Sequence, residues 1–578
     1  MMVSCLDTTV LPVDKIIEED FWQSKTDVSA MVNGAYQAMT SADVIERMIV
    51  WGELRGDNVN PTTNLSTVKA GIDEINSLNM DDKNTYTSWT AFYDVINKCN
   101  LVLDHAEAVM SIDPSYSQGN YDTDRSQMLA LRSLAYFYLV RTFRDVPYNA
   151  TAFQNSSQFM EIGQASPDSV LTLCINDLEK AEPIALSSQG FKDWRRCGLV
   201  TRDGIRAILA DIYLWRASMN KSAADYQKCV DLCNQIIESK MQIAEENKAG
   251  RGQISRMIDD SPLYKYQYAY QENFINGNSN ESIFELQLNG SYAVNTAVRN
   301  LYYMYRENNT PGFISASKIM GSNTGSDNVF LSANDVRFWE STYGVKNNEA
   351  DAFGIRKMVG KTQYNFNSSS PKAYSPETRT ETFARFEQNW IVYRLTDIML
   401  MKAEALTQLA ADDATIDSDE NLAEAFNMVQ QVYNRSIAVE SETLESGSYN
   451  NKEDMERLVL DERQRELCYE GKRWFDLIRY SYRHMTGVDS HSTMANQHQT
   501  LTNSKGEKES NVDDFPAVYS EMITLLSRKY LDNAGVLVYQ LTTEPKLYMP
   551  ISYSEIKVND NLKQTPGYKS GSDYEKNF

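Results

Sequence analysis

Apolar residues recur at spacings of three and four along most of the chain, which is the pattern of amphipathic helices. The first such stretch, 18–39, carries Phe21, Trp22, Val28 and Met31 on one face. The same period predicts further helices at 85–110, 124–143, 167–184, 202–219, 223–238, 391–410, 422–439 and 452–480. Because the connections between most of them are short, we expect neighbouring helices to pack in pairs.

Two of the predicted helices share a local pattern in which an alanine lies one turn before a tyrosine. The pattern is Ala135-x-x-Tyr138 in one helix and Ala210-x-x-Tyr213 in another. A small residue at this point lets a neighbouring helix approach closely, as it does in tetratricopeptide units. The sequence therefore predicts a mainly α fold built as a tetratricopeptide-like array of helix pairs.

The helical period is lost between residues 245 and 385, where Gly, Asn, Ser and Tyr replace the Ala and Leu of the helices. Within this segment, 282–288 alternates apolar and polar residues and predicts a short half-buried strand, while 276–280 predicts a turn. Residues 481–545 form a second irregular stretch, rich in Ser, Thr and Asn. Long irregular insertions in compact proteins are usually functional. We expect the first segment to have its own fold and the two together to form a loop-rich cap with a few short strands.

This reading divides the chain into four parts. We predict an N-terminal tether at 1–16, a helical scaffold at 17–244 and 386–480, the cap and ligand-binding region at 245–385 and 481–545, and a closing segment at 546–578.

Net charge and hydropathy limit the classes of molecule that the protein can bind. The chain has 56 Lys and Arg against 79 Asp and Glu, a net charge of −23, and such a surface repels nucleic acid. No run approaches the roughly 20 apolar residues of a membrane-spanning helix, so membrane attachment would have to be covalent or through a partner. The 34 tyrosines are suited to wet recognition surfaces, because each offers an apolar face and a polar tip.

Cys5 differs from the other cysteines in its surroundings. It follows Met2-Val3-Ser4 and opens a polar stretch, and a small residue before cysteine resembles the end of a bacterial lipobox. If so, the numbering begins inside a signal peptide and the Cys5 thiol carries a lipid. The alternative is a free cysteine in a floppy terminus. The seven cysteines show no paired spacing and predict no disulfide framework.

Two motifs near the end of the chain resemble those of the SusD/RagB family. The first is Glu462-Arg463-Gln464-Arg465-Glu466-Leu467-Cys468-Tyr469-Glu470-Gly471-Lys472-Arg473-Trp474-Phe475-Asp476-Leu477-Ile478-Arg479. Its charged residues are spaced for ion pairs along or between helices, and Gly471 permits a kink or close packing. The second is Leu547-Tyr548-Met549-Pro550-Ile551-Ser552 followed by Gln564-Thr565-Pro566-Gly567-Tyr568.

Stretches 89–100 and 129–138 agree with the same family in order and spacing, so the resemblance covers the whole chain. Ser552 and Thr565 depart from the family, which usually has proline and asparagine there. Both changes loosen a turn without removing an obvious binding group.

The resemblance implies an extracellular, lipid-anchored outer-membrane protein that captures a nutrient. It implies a partner, a SusC-like TonB-dependent transporter, to which the protein hands a glycan. It implies neither catalysis nor a cofactor.

Three alternatives remain open at this stage. A RagB-like protein would bind peptides. A helical glycoside hydrolase would need two carboxylates about 5 to 10 Å apart, and no enzyme fingerprint is present to indicate one. An intracellular tetratricopeptide scaffold would fit the helix pairs but neither Cys5 nor the aromatic cap.

Ligand-contacting residues do not lie in the shared motifs, so we choose them by chemistry. Sugar rings stack on aromatic faces, and amide or carboxylate groups bind their hydroxyls. Alternation along 264–270 would place four tyrosines on one face of a strand. The early segment 49–82 is dense in turn residues and predicts a loop that borders the ligand. The candidates are Tyr264, Tyr266, Tyr268, Tyr270, Tyr303 and Trp339, and then Asp57, Asn58 and Trp89.

A metal site is not predicted. His484, His491 and His498 recur every seven residues, which would align them on a helix. The surrounding Ser, Thr, Gly and Asn predict a loop instead, and without a helix the spacing has no geometric meaning.

Overall fold

The computed structural model shows a mainly helical protein in which short strands occupy the middle of the chain. It describes residues 21–62, 71–154, 161–249, 256–291, 293–302, 312–321, 328–332, 334–343, 354–363, 379–382, 386–439, 441–485, 501–502, 508–509, 518–530 and 534–568. None of the helices in these ranges is long and apolar enough to cross a membrane.

The N-terminal part is a series of packed helices. Its helices are α1 (Lys25–Met39), α2 (Ala42–Ile49), α3 (Ile72–Asn76), α4 (Thr90–Ile112), α5 (Gln118–Phe143), α6 (Pro167–Ala181), α7 (Arg195–Gly198), α8 (Arg202–Asn220) and α9 (Ala223–Ala249). The pairs α4–α5, α5–α6 and α8–α9 make extensive contacts. Ser24 and Ser117 cap α1 and α5 through reciprocal bonds with the third helical residue. The predicted helix-pair array is confirmed.

The middle of the chain alternates short helices and strands. The helices are α10 (Tyr266–Tyr270), α11 (Thr296–Tyr302), α12 (Lys318–Gly321) and α13 (Val336–Ser341). The strands up to residue 394 are β1 (Val59–Pro61), β2 (Val146–Pro147), β3 (Gln164–Ala165), β4 (Ser282–Leu286), β5 (Ile314–Ala316), β6 (Thr342–Tyr343), β7 (Gly354–Ile355), β8 (Gly360–Gln363), β9 (Arg379–Thr382) and β10 (Trp390–Arg394). They form antiparallel pairs β1–β5, β2–β3, β4–β10, β6–β7 and β8–β9.

The C-terminal part returns to helices. They are α14 (Leu395–Leu409), α15 (Glu420–Ser436), α16 (Lys452–Leu467), α17 (Arg473–His484), α18 (Ser520–Ser527), α19 (Ala534–Gln540) and α20 (Tyr553–Val558). One further antiparallel pair joins β11 (Leu501–Thr502) to β12 (Lys508–Glu509). Helix α14 packs on α9, α15 and α16, so the late helices complete the array begun by the early ones.

The single helix predicted at 452–480 is two helices. Tyr469 and Gly471 have φ values of 66° and 71° between α16 and α17. A Cβ on Gly471 would lie 2.6 Å from the carbonyl oxygen of Met48. Glycine is therefore required twice over, for the left-handed backbone and for the close approach of α2. The expected kink is a complete break.

The predicted strand at 282–288 is present as β4 but is fully buried rather than half-buried. It pairs with β10, which occupies the first residues of the helix predicted at 391–410. The expected separate fold of 245–385 is also wrong, because Phe284, Tyr302 and Phe338 belong to the same hydrophobic core as Trp215 and Trp474 of the scaffold. The strand pair joins the irregular segment to that core.

Candidate ligand-binding site

The family motif holds the scaffold together through buried ion pairs. Glu466 on α16 accepts from Arg394 at 2.6 Å, from Arg337 at 3.0 Å and from Arg435. Burial alone would raise the pKa of Glu466, but these arginines lower it well below its usual value. Trp474 and Phe475 of the same motif are buried in the core. The motif is therefore a structural element, and its side chains are not available to a ligand.

Asp57 and Asn58 were predicted on a ligand-facing loop, and the structure corrects this. Both side chains are fully buried, because a π-helical turn at Val50–Leu54 follows α2 directly and carries the chain into the core. Asp57 forms a two-point ion pair with Arg473 at 2.7 and 3.0 Å. Burial raises and Arg473 lowers the pKa of Asp57, and the net shift is downward. Asn58 bonds to Glu53 at 2.7 Å and to Gln464 at 2.9 Å.

Trp89 is also a packing residue. It precedes α4, is 3% exposed, and meets Tyr93 and Phe143 edge to face at 5.5 and 5.4 Å. Trp339 on α13 is half-buried and packs edge to face on Phe338 at 5.0 Å. Of these two predicted tryptophans, only Trp339 has surface left for a ligand.

The four tyrosines at 264–270 do not share one face. Residues 266–270 form helix α10 rather than a strand, so positions two apart point in different directions. Tyr264 and Tyr270 are buried, and their side chains bond to the backbone of Asn280 and Arg356 at 3.2 Å each. Tyr266 and Tyr268 are half-buried. Tyr303 and Cys5 lie outside the described residues.

Among the described residues, no group of three or more His, Cys, Asp or Glu is arranged to hold a metal ion. His484 lies at the end of α17 and pairs with Glu456 at 2.9 Å, while His491 and His498 lie outside the described residues. The histidine spacing therefore has no structural counterpart in that part of the chain.

Two concave sites lie on either side of Phe274. The first is a small cavity of about 30 Å³ between α10, α13 and the buried ion pairs. Tyr266 and Tyr270 line it together with Phe274, over which Lys357 Nζ lies at 4.9 Å. A space of this size holds about one water molecule, so it is not a site for a sugar ring.

The second site is a larger cleft of about 130 Å³ on the other side of Phe274. It lies between the π-helical turn Gln271–Asn276 that continues α10 and the residues just before β10. Its lining is dominated by side-chain amides, and it comprises Asn273, Phe274, Ile275, Asn276, Gly277, Asn278, Gln287, Leu288, Glu387, Gln388 and Asn389. We call this site the amide cleft.

A network of hydrogen bonds fixes the shape of the amide cleft. Glu285, buried beside it, accepts from the backbone N–H of Asn278 at 3.0 Å and from Asn389 Nδ2 at 2.7 Å. Burial raises the pKa of Glu285, although these donors oppose the shift. Gln287 Nε2 donates to Asn278 Oδ1 at 2.8 Å, and Asn389 Oδ1 accepts from the Leu288 N–H at 2.8 Å. The amides are therefore held in fixed orientations before any ligand arrives.

Two polar groups of the amide cleft have no hydrogen-bond partner within the part of the chain that the structure describes. Gln388 is 4% exposed, and its Oε1 has no hydrogen-bond partner. Asn278 Nδ2 donates no hydrogen bond, although Asn278 Oδ1 accepts from Gln287 and from Cys197 Sγ. Gln388 Oε1 is buried, and a buried polar atom without a partner costs free energy that a ligand can recover, whereas Asn278 is partly exposed. The cleft thus offers one acceptor and one donor.

Sequence reasoning missed this cleft because its two sides lie about a hundred positions apart. A usable signal was present in the density of Asn and Gln at 273–280 and again at 387–389. A second signal was the spacing of Tyr266, Tyr270 and Phe274, which is that of one helical face and not of a strand.

Comparison with known families gives two matches in different parts of the chain. The profile described as the SusD family matches residues 259–568. A profile described as starch-binding associating with outer membrane matches residues 11–214.

Individual proteins give the same picture at low sequence identity. SusD-like protein P38 of Formosa agariphila is 23% identical over 479 residues, covering 81% of this chain and 86% of its own. A SusD superfamily structure from Bacteroides thetaiotaomicron has a TM-score of 0.62 at 19% identity, covering 95% of this chain and 99% of its own. A structure named as a laminarin binding SusD-like protein has a TM-score of 0.60 at 17% identity, covering 94% and 100%. At these identities the structures show a shared fold.

Proposed function

The chain belongs to the SusD family, and from that premise we propose that it binds a glycan at the outer membrane and delivers it to a SusC-like TonB-dependent transporter. The match over more than half of the chain carries this proposal. It is supported by the description of the second matching family as starch-binding and outer-membrane associated, and by the laminarin-binding relative in fold.

The chemistry of the amide cleft and its surroundings supports a sugar ligand. Fixed amides match the paired donor and acceptor character of sugar hydroxyls, and half-exposed aromatic rings offer faces on which sugar rings can stack. Tyr266, Tyr268 and Trp339 are the sequence-predicted aromatics that keep accessible surface in the structure.

Attachment to the membrane is proposed through a lipid on Cys5. The motif Ser4-Cys5 supports it. The proposed transporter would meet the protein at the extracellular face of that membrane.

We propose that capture proceeds without cleavage of the glycan. Among the described residues, the lining of the amide cleft includes a single carboxylate, Glu387, whereas glycoside hydrolysis requires two that flank the scissile bond. Glu285 does not supply the second, because it is fully buried and its oxygens accept from Asn278, Asn389 and Ser282.

The test is native affinity electrophoresis of the purified soluble chain in gels that contain one polysaccharide each. Reducing-sugar release is assayed on the same mixtures. We expect retardation in at least one gel with no release of reducing sugar, and reduced retardation of Tyr266→Ala or Trp339→Ala. Leu173→Ala, at a half-exposed aliphatic residue on α6, serves as the control for a general loss of apolar surface.

Release of reducing sugar would contradict binding without cleavage. Retardation by no polysaccharide, together with binding of peptides in a calorimetric titration, would replace the glycan with a peptide ligand.

A further inference from the structure

Trp194 is exposed to a degree that no other tryptophan of the chain approaches. Six of the eight tryptophans are at most 7% exposed and Trp339 is half-buried, whereas Trp194 is 49% exposed. Leaving half of an indole in water forgoes a hydrophobic gain, and it leaves an aromatic face on which a ligand can stack.

The indole of Trp194 lies at the edge of the amide cleft. Trp194 immediately precedes α7, and its carbonyl accepts from the Gly198 N–H at 2.7 Å. A Cβ on Gly198 would lie 2.6 Å from Trp194 Cε3 and 2.7 Å from Gln287 Cγ. The indole and the side chain of Gln287 therefore flank the same glycine, and Gln287 lines the cleft.

Two more contacts tie α7 to the cleft. Cys197 Sγ donates to Asn278 Oδ1 at 3.3 Å, and Arg196 Nη2 donates to the Asn278 carbonyl at 3.3 Å. Helix α7, which Trp194 directly precedes, is thus tied to Asn278, whose Nδ2 has no described acceptor. A stacking face and free hydrogen-bonding groups lie together on a rigid base.

We propose that Trp194 and the amide cleft form a binding subsite for one sugar unit of an uncharged glycan. The sugar ring stacks on the indole. Its hydroxyls donate to Gln388 Oε1 and accept from Asn278 Nδ2. This inference rests on the proposed glycan-binding function and assigns it a place and a ligand class.

The lining determines the charge of the ligand. Among the described residues that line the cleft, Glu387 is the charged one, and neither Lys nor Arg is present. A carboxylate beside the sugar disfavours uronic acids and sulfated sugars, because like charges repel. The subsite therefore selects neutral sugars over acidic ones.

Tryptophan fluorescence tests the subsite directly, because acrylamide quenches exposed indoles and Trp194 is the most exposed. We expect a neutral polysaccharide that retards the wild-type chain, chosen from laminarin, amylopectin and galactomannan, to protect part of the fluorescence from quenching. Alginate and polygalacturonate should give no protection. In Trp194→Phe the ligand-protected component should disappear, while phenylalanine retains a stacking face.

Calorimetric titration with the same polysaccharide separates the roles of ring and amide. Trp194→Ala should weaken binding at least about fivefold. Asn278→Asp should weaken it by a similar factor, because it keeps the Oδ1 acceptor but replaces the donor with a negative charge. Asn278 has a φ of 51°, a conformation that aspartate also tolerates, so this variant should fold. Phe153→Ala, at a 44% exposed aromatic beside Asn97 on α4, should bind as the wild type does.

The outcomes distinguish the two proposals. If the wild-type chain binds no glycan, the proposed function fails and the subsite with it. If the wild type binds a neutral glycan and both Trp194→Ala and Asn278→Asp bind equally well, the function stands and the subsite is wrong. Preferential binding of alginate or polygalacturonate at this site would overturn the ligand class.

Discussion

The ion-pair cluster around Glu466 and the amide cleft around Gln388 are both polar and buried, but they differ in charge and in how far they are satisfied. Glu466 accepts from three arginines that belong to three different segments of the chain. The cleft is lined mainly by neutral amides, and Gln388 Oε1 has no partner among the described residues. The first arrangement can be broken only at a high cost in free energy, so it holds the fold. The second keeps hydrogen-bonding capacity for a ligand.

Removing the central carboxylate should have the largest effect on stability. Glu466→Gln keeps the shape of the side chain but removes the carboxylate that three buried arginines share. Each of these arginines then keeps only its other carboxylate partners, such as Asp335 for Arg337 and Glu470 for Arg394. We expect the free energy of unfolding to fall by about 3 to 5 kcal/mol in urea titrations. Asp94→Asn, which breaks the exposed pair with Lys98 on α4, should cost about 0.5 kcal/mol or less. Equal costs for the two variants would contradict the distinction between buried and exposed pairs.

Gly471→Ala should come next. The new Cβ would meet the Met48 carbonyl at 2.6 Å on a residue with a φ of 71°, so the variant combines backbone strain with a clash. We expect a loss of about 2 to 4 kcal/mol in the same titrations. Gly34→Ala in α1, where a Cβ meets nothing within 4 Å, should instead stabilise the chain by about 0.5 to 1 kcal/mol. A destabilised Gly34→Ala variant would show that the space around Gly34 in α1 is more crowded than the structure indicates.

Acid should weaken the scaffold, because its buried carboxylates are charged in their ion pairs. Burial raises the pKa of Asp397, but Lys472 and Arg463 lower it more strongly, to about 2. Because the folded pKa lies below the unfolded value, this carboxylate stabilises the fold above about pH 4, and the contribution is lost as the pH falls toward 2. We expect about 2 kcal/mol to disappear over that range in pH-dependent unfolding. Asp397→Asn should show a correspondingly shallower dependence.

Gly198→Ala should have a smaller effect on stability but a clear effect on binding. The new Cβ meets the side chains of Trp194 and Gln287, both of which can shift, so we expect a loss of about 1 kcal/mol. Displacing the indole should weaken glycan binding in affinity gels. Unchanged binding would show that the indole of Trp194 does not contact the ligand.

Trp194→Ala should have the smallest effect on stability. Half of the indole is already in water, so the free energy of unfolding should change by about 0.5 kcal/mol or less. A large loss in thermal unfolding would show that Trp194 is a packing residue and not a binding one.

The scaffold was predictable from sequence and the site largely was not. Helices such as α5 and α8 were predicted because the spacing of their apolar residues is a local property of the sequence. That spacing can be recognised without knowing which elements the helix packs against. Asp57 was misplaced because its partner, Arg473, is 416 residues away in the chain, and no local pattern reports such a pair. The segment around Asp57 is rich in Gly and Asn, a composition that is typical of surface loops, although this turn is buried.

The tyrosines at 264–270 illustrate a different failure. Alternating aromatics fit a strand, but Tyr266, Tyr270 and Phe274 also fit one helical face, and the structure follows the second pattern. Trp194 was overlooked because one tryptophan in a short polar segment has no periodicity at all. Only its exposure and its position beside Gly198 and Gln287 identify it.

Whether the glycan is held at the amide cleft is decided by calorimetric titration of one neutral polysaccharide into wild-type, Trp194→Ala and Phe153→Ala chains, all checked for equal unfolding temperature. We expect the wild type and Phe153→Ala to bind alike and Trp194→Ala to bind at least about fivefold more weakly with an unchanged fold. Equal binding by all three folded chains would contradict the claim that this cleft, and not the charged scaffold, is where the glycan is held.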